Sequence, residues 1–301
     1  MAAKGSSHEG PFPFVPLRVR HDRRGLLVTA RAGYTECMSA HDDFPVRVDQ
    51  HGTLEVWTID REARSNSLSR PALFAIGKLA RAAAENPSVR GVIVRGAGDK
   101  VFCAGADLKE RAGMSDDDVR MQIRLYRSEL GALDALGKPV VALMNGHAFG
   151  GGLELALMCD LRIAVRHAEF ALPETTLGII PAAGGTQKLP RVVGEARAKE
   201  MILLGRRITA ETAHAWGLVQ ALVPEGQDAL AFALAYLAPI ANGAPLALSA
   251  ALEAIDRSFD EDLRTGLDME ALIYDRLIPT RDRREALAAF GEKRKPVFEG
   301  R

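Results

Sequence analysis

Three consecutive glycines, Gly150, Gly151 and Gly152, stand just after the apolar run 140–144 and just before the helix-forming residues Leu153, Glu154, Leu155, Ala156 and Leu157. Backbone without side chains can turn tightly at such a junction and can bring main-chain NH groups against a ligand that a Cβ would keep away. A helix beginning there also turns its positive dipole end toward the loop. The site therefore suits a phosphate or a developing oxyanion, and glycine content does not separate the two. The spacing differs from both the Walker and the dinucleotide-binding glycine patterns. Glu154, three residues after Gly151, falls on the first helical turn, where it reads either as a partner for the helix dipole or as a functional carboxylate beside the anion site.

Strand and helix signals alternate through the first two thirds of the chain. The pattern becomes strand-like at Val46, and residues 54–59 are rich in β-formers. Residues 71–85 open on Pro71, carry an apolar stripe of Leu73, Ile76, Leu79 and Ala80, and stop at Asn86 and Pro87. A short strand over 92–94 ends at Gly96 and Gly98, and a second cycle pairs a helix over 116–136 with the strand 140–144. This order predicts an α/β fold with helices packed on sheets. After about Gly194 the periodicity turns helical, over 196–204, 210–216, 229–237, 245–255 and 281–290. The expected division is an N-terminal extension over 1–45, a core carrying the site over 46–195, and a helical region over 196–301. The extension has Gly, Ser and Pro, then Arg18, Arg20, Arg23 and Arg24, without the apolar segment of a secretory signal. It reads as a poorly ordered extension, a targeting peptide, or the product of an upstream start with Met38 as the alternative initiator.

Thirty-nine basic residues balance 39 acidic ones, so no global field gathers nucleic acid or anionic lipid. No apolar run approaches the roughly 18 residues of a membrane span, which predicts a water-soluble protein. Cys37, Cys103 and Cys159 are odd in number and lack metal-ligand or redox spacing, so they are expected as small buried thiols in a reducing compartment.

Two further segments carry candidate chemistry. In the loop 102–110, Gly105, Ala106 and Asp107 could present an NH at a helix start, and two NH groups from separate loops would make an oxyanion hole; a simple turn with an acidic N-terminal residue is the equal reading. Glu174 lies twenty positions after Glu154, enough chain to finish one helix, make a strand over 161–164 and return a carboxylate to the same cleft. Pro173 fixes the backbone just before it, and a surface glutamate in a loop is the competing reading.

With these segments in view, residues 46–301 resemble the crotonase, or enoyl-CoA hydratase/isomerase, superfamily. The likeness to its 3-methylglutaconyl-CoA hydratase branch, which includes the AU-binding hydratases, rests on FCAGADLKER at 102–111, GGGLELAL at 150–157, IPTRD at 278–282 and AFGEKR at 289–294. The resemblance implies a ββα spiral core with a helical C-terminal trimerisation region, assembled as a homotrimer or homohexamer. It implies the Ala106 and Gly151 NH groups as oxyanion hole, with Ala104 lining the same loop, and Glu154 and Glu174 as the catalytic pair. It also implies Ala63, Arg64 and Ser65 against coenzyme A, with Phe290 and Lys293 reaching the adenine end, often of a neighbouring subunit. Ala182 and Lys188 depart from the family's usual glycine and arginine. Leu172 replaces the glutamine of short-chain hydratases and suggests a different acyl pocket.

The implied reaction adds water to an α,β-unsaturated acyl-CoA, with Glu154 activating the water and Glu174 protonating the α carbon. Acyl-CoA is then the substrate, and neither cofactor nor metal is called for. Lys109 and Arg111 follow the first oxyanion loop as the nearest basic residues in sequence; of the two Arg111 is the candidate partner for a distal substrate carboxylate, with a surface arginine on a solvated helix face as the competing reading. A general short-chain enoyl-CoA hydratase or an enoyl-CoA isomerase is the alternative within the family. RNA binding is the alternative outside it, but the basic helical row of the AU-binding relatives reads Arg70, Phe74, Lys78 here, interrupted by Phe74 in a neutral chain, so no nucleic-acid or membrane partner is expected. His147 and His167, lacking ligand or nucleophile partners, are expected to be structural. The compartment would be the cytoplasm of a bacterium or the mitochondrial matrix of a eukaryote.

Overall fold

The computed structural model describes residues 44–301, apart from the Leu108 side chain, and the backbone of a hairpin pairing Arg18–Asp22 with Gly25–Thr29. Cys37, Met38 and the rest of residues 1–43 outside that hairpin lie outside the described residues. The main sheet has six strands in the order Ala221–Leu222, Leu161–Ala164, Val140–Met144, Gly91–Gly96, Leu54–Ile59 and Val46–His51. All neighbours are parallel except the last pair, which closes as a hairpin. A second sheet runs Ile208–Thr209, Glu169–Ala171, His147–Phe149 and Val101–Cys103, with its last three strands parallel. Three long strands, Gly91–Gly96, Val140–Met144 and Leu161–Ala164, are each followed by a short strand in the other sheet and then by helix, which is the expected ββα spiral. The short strands, only three residues each, escaped the sequence reading. The glycine loops follow them, not the long strands 92–94 and 140–144.

Helix Arg70–Glu85 shows why the sequence folds this way locally. Ser69 caps it by accepting from the Ala72 NH, Pro71 occupies the first turn, and Leu73, Ile76, Leu79 and Ala80 are buried. Burying each of the larger side chains contributes about 1.5–3 kcal/mol. The helix packs on Asp116–Asp134, whose N-terminus is closed by a capping box between Ser115 and Asp118. The C-terminal third is mostly helical, as expected, and includes one helix the periodicity did not reveal, Leu263–Asp275, capped by Asp262.

Buried polar side chains tie the loops to the sheets. Asn66 donates to the Ala97 and Val101 carbonyls and accepts from the Arg61 NH, while Asn145 bonds both the NH and the carbonyl of Gly96. Arg162 is fully inside, and its guanidinium donates to the carbonyls of Leu218, Ala156, Cys159 and Asp160. It therefore satisfies the last turn of helix Gly151–Leu157, where a cation is favoured. Among the described residues no helix is long and apolar enough to cross a membrane.

Candidate active site

The three parallel strands of the short sheet end side by side, and the loops leaving their carboxyl ends form one cleft. The strand Val101–Cys103 delivers Ala104 to Asp107, His147–Phe149 delivers Gly150 and Gly151, and Glu169–Ala171 delivers Pro173 and Glu174. Carboxyl ends of parallel strands are where open α/β sheets bind ligands. Here they border a cavity of about 630 Å³ lined by Ala104, Ala106, Gly151, Glu154 and Glu174 among others. Five of the sequence-predicted site residues are thus brought together.

Each glycine at the turn has its own task. Gly150 has φ 52° and ψ −128°, a backbone region open essentially to glycine, and a Cβ there would stand 2.9 Å from Glu174 Oε1. At Gly152 a Cβ would lie 2.0 Å from the Cys103 carbonyl oxygen, so the helix docks on the first short strand only because the side chain is missing. Gly151 contributes an NH at the helix start, 3.0 Å from where a Gly105 Cβ would be, and its own Cβ position is 3.6 Å from the Ala106 nitrogen. The Ala106 residue forms a parallel bridge with Leu68, in which Leu68 donates to Gly105 O and Asp107 donates to Leu68 O. That register turns the intervening Ala106 NH away from Leu68. Among the described residues neither the Ala106 nor the Gly151 NH has an acceptor, so two adjacent donors from separate loops remain unspent.

The carboxyl groups differ in environment. Glu154 is buried, and its Oε1 accepts from the Ala183 and Gly185 NH groups, both at 2.8 Å, at the start of helix Gly185–Val193. Burial raises its pKa and those two bonds oppose the rise. Glu174 is also buried, yet among the described residues its Oε2 finds no partner. Burial pushes the Glu174 carboxyl up to about 7; its own backbone NH opposes the shift and the Glu154 charge adds to it. The surface-glutamate reading of Glu174 does not match these surroundings; Glu154 does stand in the first turn of its helix, and its carboxyl is bonded by the start of the next one.

The remaining predicted residues are elsewhere. Ala63, Arg64 and Ser65 form an exposed 3-10 turn with its left-handed exit; the Ser65 carbonyl accepts from the Ala104 NH, so this turn abuts the first loop without lining the cavity. Phe290, 87% exposed, and Lys293 sit at the end of the last helix, Arg281–Glu292, and do not reach the cavity within one subunit. Leu172 is fully buried and outside the lining, so its substitution for glutamine does not shape the cavity wall directly. Ala182 does line it, and Lys188 is paired with Asp134. Arg111 is half-buried in the cavity wall. In the interrupted row, Arg70 is drawn to Gln122 and Phe74 is exposed. His147 accepts from the Glu169 NH and His167 bonds the Asp99 carbonyl, which are structural placements. Cys103, whose thiol burial pushes up to about 12, and Cys159 are both buried, as expected.

Sequence reasoning missed the opposite wall. Met114, Val119, Gln122, Ile123 and Tyr126 line the cavity from the helix Asp116–Asp134 and the turn before it. Their signal was present as a helical stripe, 119, 122, 123, 126, but a stripe facing a cavity and one facing a core have the same period.

A family model for "Enoyl-CoA hydratase/isomerase" matches residues 49–301. The chain belongs to the enoyl-CoA hydratase/isomerase family. Human enoyl-CoA hydratase domain-containing protein 2, mitochondrial, is 42% identical over 292 residues, covering 96% of this chain and 97% of its own. Human methylglutaconyl-CoA hydratase, mitochondrial, is 38% identical over 275 residues, 90% of this chain and 81% of its own. The crystal structure of an enoyl-CoA hydratase from Bacillus anthracis superposes with a TM-score of 0.83 at 44% identity, covering 85% of this chain and all of that one. The crotonase fold expected from the sequence is therefore the fold of this family member.

The raised Glu174 value carries a stability consequence of definite sign. Between the ordinary value of 4.5 and about 7 the folded protein holds a proton that the unfolded chain has released, so stability falls as pH rises through that window. Glu174→Gln removes this penalty and is expected to raise the melting temperature at pH 8 relative to its effect at pH 4. An identical change at both pH values, read by thermal unfolding, would mean that the carboxyl is not perturbed.

Proposed function

We propose that this family member is an enoyl-CoA hydratase that adds water across the α,β double bond of an acyl-CoA thioester. The observation that carries the reading is the pairing, in one cavity, of two unspent NH donors with two buried carboxyls, one hydrogen-bonded by two NH groups and one with an unpartnered oxygen. The thioester oxygen would accept from Ala106 and Gly151. Preorganised donors of this kind supply about 3–4 kcal/mol each in other enzymes. Glu154, which two NH groups favour as a carboxylate, takes a proton from water as the water oxygen bonds to the β carbon. Electrons move onto the thioester oxygen, and Glu174, held protonated by burial, gives its proton to the α carbon. Environments that push two carboxyls apart in this way separate base from acid. An isomerase needs no attacking water, and the retention of both glutamates favours the hydratase.

The reading includes a distal carboxylate on the acyl chain, as in 3-methylglutaconyl-CoA, with Arg111 as its partner. Met114, Val119, Ile123, Leu177 and Ile180 make much of the wall apolar, with Gln122 among them, so a desolvated carboxylate there would need a cation or several donors. A reaction in leucine breakdown would fit such a substrate. The coenzyme A moiety is assigned to Ala63, Arg64 and Ser65, and to Phe290 and Lys293 of a neighbouring copy. The assembly is proposed as a trimer or a dimer of trimers, because the C-terminal helices expose Leu263, Leu267, Leu272, Leu287 and Phe290. The proposed compartment is the bacterial cytoplasm or, as in the names of the human relatives, the mitochondrion.

Glu154→Gln and Glu174→Gln are each expected to lower hydratase turnover at least about 100-fold with the fold intact, and the double variant to lose little beyond the worse single. Near-normal turnover in either single variant overturns the assignment. Arg111→Met should raise KM for 3-methylglutaconyl-CoA and spare crotonyl-CoA in a steady-state substrate panel; equal effects on both would assign Arg111 to the fold or to coenzyme A. Sedimentation should give three or six copies, and a stable, fully active monomer would refute the assembly.

A further inference from the structure

Tyr126 lies beside Gly151 and bonds Leu68, the residue bridged to Ala106, without belonging to either loop. Its hydroxyl donates to the Leu68 carbonyl at 2.9 Å, and its ring lies against Gly151, with Cε1 3.6 Å from the Cβ position of that glycine. Leu68 is the residue bridged to Ala106, and its carbonyl receives only one other bond, a long one of 3.4 Å from the Asp107 NH. The side chain is buried at the cavity wall, and burial raises the phenol pKa above its ordinary value, so the hydroxyl remains a donor throughout the neutral range.

We infer that Tyr126 is the positioning residue of the oxyanion hole: it anchors Leu68, whose own NH holds the Gly105 carbonyl of the peptide unit that carries the Ala106 NH, and its ring packs beside Gly151. The opposite flank of the same segment is held separately. The Arg61 guanidinium donates to the Ser67 carbonyl, to Ser67 Oγ and to the Asp107 carboxylate, whose pKa burial would raise but the Arg61 bond lowers. With that clamp in place, loss of the phenol hydroxyl lets Leu68 shift, and with it the Gly105 carbonyl whose peptide unit carries the Ala106 NH, without releasing the loop. A tilted donor still lets coenzyme A bind but no longer meets the oxygen on which charge develops, so the loss falls on kcat and not on KM.

The inference rests on the hydratase reading, and the test separates the two. Tyr126→Phe keeps the ring and removes the hydroxyl. It is expected to lower kcat about tenfold while changing KM less than twofold, and to melt within a few degrees of the unaltered protein. A conjugated aryl-enoyl thioester of coenzyme A, whose absorption moves to longer wavelength when its carbonyl is polarised, reads the donors directly. The unaltered protein should shift that band, and Tyr126→Phe should shift it less at saturation. An equal shift with kcat within twofold overturns the role of Tyr126 alone. Absence of a shift in the unaltered protein overturns the hydratase reading beneath it. A Tyr126→Phe protein that does not fold also overturns the inference, since the bond would then serve the fold as a whole.

Discussion

The contact between Gly152 and the Cys103 carbonyl is what the rest of the site depends on. With no Cβ on Gly152, the helix Gly151–Leu157 sits directly on the end of the strand Val101–Cys103, where any side chain would meet the carbonyl oxygen at 2.0 Å. That approach brings the start of the helix beside the loop that follows the strand, so the Gly151 and Ala106 nitrogens become neighbours although 45 residues separate them. Protein interiors are packed too tightly to absorb even a methyl group here without moving backbone. The buried Arg162 holds the other end of the helix by taking up its last carbonyls, so the helix is fixed at both termini.

A rigid pair of donors is useful only if the carboxyls facing it can exchange protons near neutrality. Desolvation raises the proton affinity of any buried carboxyl, and the fold offsets that cost unequally. Glu154 lies at the start of helix Gly185–Val193, where two NH groups and the helix dipole favour its anion. Glu174 has an oxygen with no partner in the described residues. A buried polar atom left unpaired costs roughly 1–3 kcal/mol. Its persistence beside the donor pair is understandable if that oxygen meets water or substrate during the reaction, as the proposed mechanism has it.

How much of this was legible in the sequence follows from the length scale of each signal. Long elements were: Val140–Met144 and Leu161–Ala164 appear at the residues expected, and the helix over 71–85 begins one residue early at Arg70. The short sheet was not, because three residues such as His147, Ala148 and Phe149 cannot display an alternation. The glycine loops were legible as chemistry because glycine marks close backbone approach, and the resemblance supplied the residues they would bring together. The wall from Val119 to Tyr126 was invisible for a different reason. One continuous stripe faces the cavity in its first half and the core at Leu130 and Leu133 in its second, and only the tertiary packing divides it. Helix Leu263–Asp275 escaped because Gly266 and exposed Leu263 and Leu267 blur its buried face, which in one subunit contains only Ile273.

That last helix bears on how the C-terminal third is held. The helices after Pro245 bury few apolar residues in one copy, chiefly Ala250, Ile273 and Ala289. Their attachment relies on polar tethers. Arg90 donates to the carbonyls of Ala241, Gly243 and Phe298, and the buried Asp282 accepts from the Glu299 and Gly300 NH groups, drawing the end of the chain back across the last helix. Such bonds fix direction but contribute only about 1 kcal/mol each, or somewhat more when charged. The hydrophobic term is largely missing within one subunit, while Leu263 and Phe290 stand more than four fifths exposed. In the proposed assembly a neighbouring copy would supply the missing cover, and the stability of this third would then depend on protomer concentration. The same arrangement would carry Phe290 and Lys293, which are not part of their own cavity wall, toward the site of another copy, so that association and completion of the coenzyme A site would become one event.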